Sequence, residues 1–395
     1  ICAGSASCGA SQASASSPVR FNWAAPADDS VIGKCSVQGD NLLNNPDAAC
    51  GSGIMIRNTI NQASTGMSFV KFDKAYGTPV YVTPLEGGIK TKYAALVFDG
   101  SSMSADNLGF SDINTTNVIA IDLAAPTIRD STFTLGIDGL GYNGPGVEVF
   151  GAGAGILSKF SLTGSEFTGD ADASCDDGFS LIYSENSFVE FDNLDIKDNA
   201  HGVFLRGSSG SFGNSTLDVN CNGIDTNSHK MTGDYSHTLY IDNNQITTGD
   251  RAGITAFNRA IVSATGNTIS GAAQGSGFGI RDSIVSAHQN TIGPITGFNG
   301  FWVLGNSDVE IENNTVTDIA KEPIKVGEYL YEDTGNTYPD PSANRAYIAN
   351  NLVANNTGVC NSVWMYGGDF QCPAIHIFMA SATIVGNTVT GNSGD

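Results

Sequence analysis

Apolar and polar residues alternate along this chain in short runs, and the runs recur. "FWVLGNS", "DVEIEN" and "NTVTDI" follow one another over residues 301–319. Each alternates with period two and is bounded by Gly, Asn or Ser, which predicts three short strands joined by tight turns. Similar lettering returns in "YIDNNQITTG", "SATGNTISGA", "SAHQNTIGPI", "YIANNLVANN" and "TIVGNTVTGN". Alignment on the apolar residue two places after the turn Asn or Ser gives Phe110, Phe133, Phe167, Ile196, Leu217, Ile246, Ile269, Ile292, Val316, Val353 and Val389, with 23 residues from Ile246 to Ile269 and again from Ile269 to Ile292. A fixed period of this size is the mark of a repeat architecture. Three strands per period with no helix between them predict an all-β fold, a parallel β-helix in which each strand pairs with its equivalent one coil away. The anchors then stack inside as core.

The turn position two residues before the anchors carries Ser131, Ser165, Ser215, Asn244, Asn267, Asn290, Asn314, Asn351 and Asn387. Asn tolerates left-handed backbone, and its amide can bond to the Asn above and below. A structural ladder through Asn244, Asn267, Asn290, Asn314, Asn351 and Asn387 is therefore expected, with the "NN" pairs at the corner between the second and third strands.

The repeat does not reach the start of the chain. Residues 1–19 form a small-residue arm ("SASCGASQASASS"), 20–84 read as an N-terminal cap, and 85–395 as the β-helix, with insertions near 225–238, 327–345 and 357–373. Loops inserted on one face of a solenoid are where binding usually resides.

Composition narrows the function classes. Hydrophobic residues make up 41% of the 395 and charged residues only 15%, and 48 glycines fit many short strands and turns. The formal charge of −22 repels phosphates and anionic membranes, so no nucleic-acid partner is expected. No run of eighteen apolar residues exists, so no membrane insertion is expected. The eight cysteines predict disulfides and an oxidising, extracellular or cell-surface location. Cys2 with Cys8, Cys35 with Cys50, and Cys360 with Cys372 are near enough in sequence to close local loops. Cys175 and Cys221 precede strands two coils apart, and pair only if the acidic loop around Cys175 folds back. Asn114, Asn214, Asn313 and Asn355 begin glycosylation sequons. The first residue, Ile1, is not Met, which reads as a removed leader or a fragment.

With its Asn-bearing corners and three-strand period, the chain resembles the right-handed parallel β-helix, pectate-lyase-like superfamily over residues 85–395. The resemblance implies the right-handed fold. It implies no single activity, because that superfamily includes lyases, hydrolases, tailspikes, adhesins and surface proteins.

Candidate chemistry is sparse. First strands that begin near Gly178, Gly202, Gly223, Gly253, Gly279, Gly300, Pro323 and Ala374 put Ser180, Phe204, Asp225, Thr255, Arg281, Trp302, Lys325 and His376 on the outer face. An aromatic flanked by cations suits a sugar ring bearing carboxylate or sulfate, so Arg281, Trp302, Lys325 and His376 are the carbohydrate-binding candidates. Asp170, Asp172, Asp176 and Asp177 in "GDADASCDDG" offer oxygens to calcium, the one cofactor candidate, although the spacing departs from an EF-hand loop. No catalytic residue is assigned: Arg-x-Pro-x-x-Arg, Asn-Thr-Asp and Gly-His-Gly are absent, and His201, His229, His237, His288 and His376 are scattered. The expected role is an extracellular structural or adhesive subunit that assembles head to tail with copies of itself, since "TGNSGD" is too short to cover the coil of Val389. The alternative is a polysaccharide-active enzyme or carbohydrate-binding module.

Overall fold

The computed structural model describes residues 19–22, 54–57, 66–68, 70–73, 78–82, 90–113, 115–135, 145–151, 158–176, 179–228, 238–327, 344–356, 358–362, 368–378 and 380–392. The chain divides into two compact units, residues 1–170 with 181–195, and residues 171–180 with 196–395. Each is a right-handed parallel β-helix of three sheets, named here by the first, second or third strand of a coil.

In the first unit the third-strand sheet runs Val19–Asn22, Val70–Asp73, Gly109–Ile113, Thr132–Leu135 and Glu166–Thr168. Among the described residues parallel pairing thus already holds at Val19, opposite Val70, well before the sequence repeat becomes visible. Phe72, Phe110, Phe133 and Phe167 point inward from successive strands, with ring centroids 4.7, 5.0 and 4.3 Å apart and planes nearly parallel. Those spacings follow the ~4.8 Å step between paired strands, so the ladder itself imposes the stack.

In the second unit the same interior column is aliphatic. Leu217 pairs with Ile246, Ile246 with Ile269, Ile269 with Ile292, Ile292 with Val316, and Val316 with Val353, and all six are buried. Glycine is required where the first strand passes this stack. A Cβ on Gly253 would lie 2.3 Å from Ile269 Cγ2 and one on Gly277 would lie 2.5 Å from Ile292 Cγ2.

The corner before the third strand divides its work between two neighbouring residues. Asn244 N donates to Asn267 Oδ1 at 3.0 Å, and the Asn244 amide Nδ2 donates to the same oxygen at 2.9 Å. The pattern repeats from Asn267 to Asn290, Asn290 to Asn314, Asn314 to Asn351 and Asn351 to Asn387. These Asn are not the left-handed residues. Positive φ falls one place earlier, at Asn243, Gln289, Asn313 and Asn350, because a side chain aimed into the stack and a backbone turned to the left-handed region need different positions.

Of the sequon residues, Asn214, Asn313 and Asn355 are exposed at such turns, whereas Asn114 lies outside the described residues. The acidic loop does fold back. Cys175 and Cys221 form a disulfide with Cα atoms 5.6 Å apart, and the Asn220 amide donates to the carbonyls of Ala171 and Ala173. Val359–Ser362 and Gly368–Gln371 form an antiparallel pair leading to Cys372, which is disulfide-bonded. The side chain of Cys360, and all of Cys2, Cys8, Cys35 and Cys50, lie outside the described residues.

Candidate functional site

The site grows from the outer face of the first-strand sheet in the second unit. Phe301 and Val303 in Phe301–Leu304 and Ile324 and Val326 in Ile324–Val326 are buried, which turns Trp302 and Lys325 between them outward, and pairing carries the same position to His376 in Ile375–Ile377. Pairing then stacks Trp302 on Lys325 and Lys325 on His376 in one column, one coil step apart.

Arg281 does not join this column. Gly279 is the partner of Trp302, and Arg281 stands opposite Leu304, with its Nε 3.5 Å from Asp282 Oδ2. "GSGFGI" offers glycines at 275, 277 and 279, and the one that takes the position of Gly253 and Gly300 is Gly277, the glycine packed against Ile292. Expecting Gly279 there shifted the outward assignment by two residues. In the true register Gly279 takes the column position beside Trp302 and contributes no side chain of its own.

Around the column lie groups that the sequence did not single out. Phe298 stacks with Trp302, centroids 6.2 Å apart and planes 13° apart, and Lys321 Nζ sits 3.8 Å from the Phe298 ring centre. Glu322 is 5% exposed. It accepts a hydrogen bond from Asn299 Nδ2 at 3.0 Å, lies 3.2 Å from His376 Nδ1 and is 3.8 Å from Lys325 Nζ. Burial by itself would raise the Glu322 pKa, but the hydrogen bond from His376, the Lys325 charge and the remaining hydrogen bonds outweigh it and hold the carboxyl at about 2. The carboxylate therefore stays charged and orients both His376 and Lys325. An imidazole oriented by a carboxylate is an arrangement suited to proton transfer, and two lysines beside stacked rings suit an anionic sugar. Regular spacing was the available signal: Glu322 stands three residues before Lys325, and Asn299 three before Trp302.

Further along the same face Asp225 pairs in register with Thr255 and accepts a hydrogen bond from its Oγ1. Burial raises the Asp225 pKa, opposed by that bond. Phe204 pairs with Asp225. His201 accepts from Asn222 N at Nδ1 and lies 3.2 Å from the Cys175 carbonyl through Nε2, the pattern of a neutral imidazole donating from Nε2; burial lowers its pKa.

Of the four acids considered for calcium, Asp176 pairs with Arg251 at 2.9 Å, Asp170 belongs to the first unit and Asp172 to the second, and Asp177 lies outside the described residues, as do His229 and His237. Among the described residues the converging set of possible metal ligands is a different one, His288 with Glu310 and Glu312, on the second-strand sheet. No helix of the described residues is long and apolar enough to cross a membrane.

Residues 231–395 match the family described as "Right handed beta helix region", which agrees with the sheet order and supports the superfamily resemblance. Among solved structures, the chain is similar to the periplasmic alginate epimerase AlgG, with 10% identity over 81% of this chain and 74% of that one and a TM-score of 0.29. A double mutant of the same protein gives 9% identity, 85% coverage of each chain and a TM-score of 0.34. Likeness at this level says nothing about the chemistry of the present chain. No curated protein sequence matches it.

Proposed function

We propose that this protein is an extracytoplasmic β-helix that binds an acidic polysaccharide along the outer face of the first-strand sheet of its second unit. The observation that carries the reading is the column of Trp302, Lys325 and His376 in register, flanked by Phe298 and Lys321. It places ring stacking and positive charge on a face of a protein whose net charge is −22. An anionic chain approaching so acidic a molecule needs a local cationic seat, and a neutral glycan would not need Lys321 and Lys325. The Cys175–Cys221 disulfide supports an oxidising compartment. Isothermal titration with a polyuronate and with a neutral polymer such as cellohexaose tests the reading, with ultraviolet absorbance of unsaturated uronate followed in parallel for turnover. Binding of the polyuronate that weakens in Trp302→Ala and Lys325→Gln is expected. Equal affinity for the neutral polymer, or none for either, overturns it.

A further inference from the structure

From the outer face of the second-strand sheet we infer that His288, Glu310 and Glu312 bind a divalent transition-metal ion of the zinc class. The inference goes beyond the polysaccharide reading and does not depend on it.

The sequence builds the cluster by alternation. In Ile284–His288 the inward residues are Val285 and Ala287, so Ser286 and His288 face out; in Asp308–Glu312 the inward residues are Val309 and Ile311, so Glu310 and Glu312 face out. Pairing sets His288 directly opposite Glu312 and Ser286 opposite Glu310, which leaves Glu310 diagonal to the imidazole. The ladder fixes both backbones, so the three side chains are held close before any ion arrives.

Their distances are not those of hydrogen bonds. His288 Nε2 is 3.7 Å from Glu310 Oε2, and Nδ1 is 3.6 Å from Glu312 Oε2, beyond the 2.7–3.2 Å of an N–H···O bond. One donor atom from each of the three residues lies within 4.8 Å of the others. Zinc-to-nitrogen and zinc-to-oxygen bonds are about 2.0–2.2 Å, so ligands of one ion sit a little closer together than these groups do, and a small side-chain rotation closes the difference. Glu312 is already oriented by a further contact: Asn350 Nδ2 donates to its Oε1 at 3.3 Å, leaving Oε2 turned toward His288. Contacts that aim a ligand in this way are typical of metal sites.

Charge argues in the same direction. Two carboxylates converge on one imidazole, and Arg345 on the next strand is already paired with Asp308 at 2.6 Å. The donor set of one imidazole nitrogen and two carboxylate oxygens suits zinc and its neighbours, whereas calcium takes six to eight oxygens. All three side chains are partly exposed, at 27%, 45% and 26%, so the coordination positions that the protein leaves open face solvent. Three protein ligands with an open position is the arrangement of an accessible metal, not a closed structural one.

The test is titration of zinc ion into the chelator-treated, full-length protein by calorimetry, with metal content measured after dialysis. One zinc per chain is expected, with calcium binding far weaker. His288→Ala and Glu312→Gln should each reduce zinc affinity roughly a hundredfold or more, since even indirect supports of a ligand are worth 10–100-fold. His376→Ala, on the other face, should leave it unchanged. Thermal melts of the chelated variants establish that they fold. No zinc binding by the wild type, or zinc binding that is unchanged in both His288→Ala and Glu312→Gln, overturns the inference and leaves the three residues as a local ion pair only.

Discussion

In the first unit the outward columns of the first-strand sheet hold Val97, Ile119, Ile121 and Phe150, and the antiparallel strand Thr78–Val82 lies over them, burying Val80 and Val82 against them. In the second unit the outward column holds Asp225, Thr255, Trp302, Lys325 and His376. Backbone and alternation are the same in both, and only the outward residue type differs. Where it is apolar, the chain supplies its own cover. The acids there are matched: Glu148, 1% exposed, accepts from Thr116 at 2.6 Å and pairs with Lys92, and Glu185 accepts from the Tyr183 hydroxyl at 2.6 Å, because a buried carboxylate must be matched. Where the outward residues are aromatic and charged, no strand covers them among the described residues, and Trp302, Lys325 and His376 stay partly exposed. The comparison teaches that the sheet face is a packing surface by default and becomes a site only where its outward positions stop being aliphatic.

The sharpest way to break this comparison is to charge the covered face. Ile119→Asp should place an unmatched carboxylate under the lid strand and cost on the order of 3–5 kcal/mol, read as a lost or much lowered unfolding transition in urea. Trp302→Ala in the second unit should cost a small part of that. Equal losses would show that the open face is as much a part of the core as the covered one.

The corner ladders give the next largest contrast. Asn290 makes its bonds through both Nδ2, to Ala264 O and Asn314 Oδ1, and Oδ1, from Asn267. Asn290→Ala should therefore cost about 1–3 kcal/mol. Ser131 accepts from Leu108 N and donates to Arg129 O, and Ser131→Ala should cost nearer 1 kcal/mol. Denaturant midpoints of the two variants check the order. Identical shifts would mean that the paired amides add nothing to the stack.

For binding, Trp302→Ala should weaken polyuronate affinity tenfold or more, about 1.4 kcal/mol per factor of ten, while Tyr81→Ala, an exposed aromatic on the lid strand of the first unit, should leave it unaltered.

The smallest effect is on acid stability. Glu322 is held at about 2, below the ordinary 4.5. A carboxylate with a lowered folded pKa stabilises the native state above its unfolded pKa, and that contribution fades as pH falls from about 4.5 toward 2. Stability measured across this window should decline less steeply in Glu322→Gln than in the wild type. Parallel slopes would deny the carboxylate its partners His376 and Lys325.

Much of this was legible in the letters. Period-two alternation and the spacing of Ile246, Ile269, Ile292 and Val316 specify the interior column, because strand pairing one coil away forces equivalent residues onto one another. The strands at Ile54–Arg57, Gly66–Ser68 and Val70–Asp73 were harder to read, since their coils carry no Asn corner to mark the turn. Trp302, Lys325 and His376 followed from counting along each strand, and Arg281 failed because three glycines in "GSGFGI" allow more than one register, resolved only by which of them meets Ile292. Glu322, Phe298 and Lys321 lie in the turn that precedes a strand, where the period-two alternation of strands stops and only the spacing to the next strand marks Glu322. The His288, Glu310, Glu312 cluster is invisible as a motif because its members come from different coils and meet only through the register.

Hydrogen–deuterium exchange of the full chain with and without a polyuronate tests the central claim most directly, that the open face of the second unit is the seat of the glycan. Slowed exchange confined to Phe301–Leu304, Ile324–Val326, Ile375–Ile377 and the turn at Phe298 is the predicted result. Protection on Lys90–Asp99 or on the second-strand sheet, or no protection under saturating polymer, contradicts it.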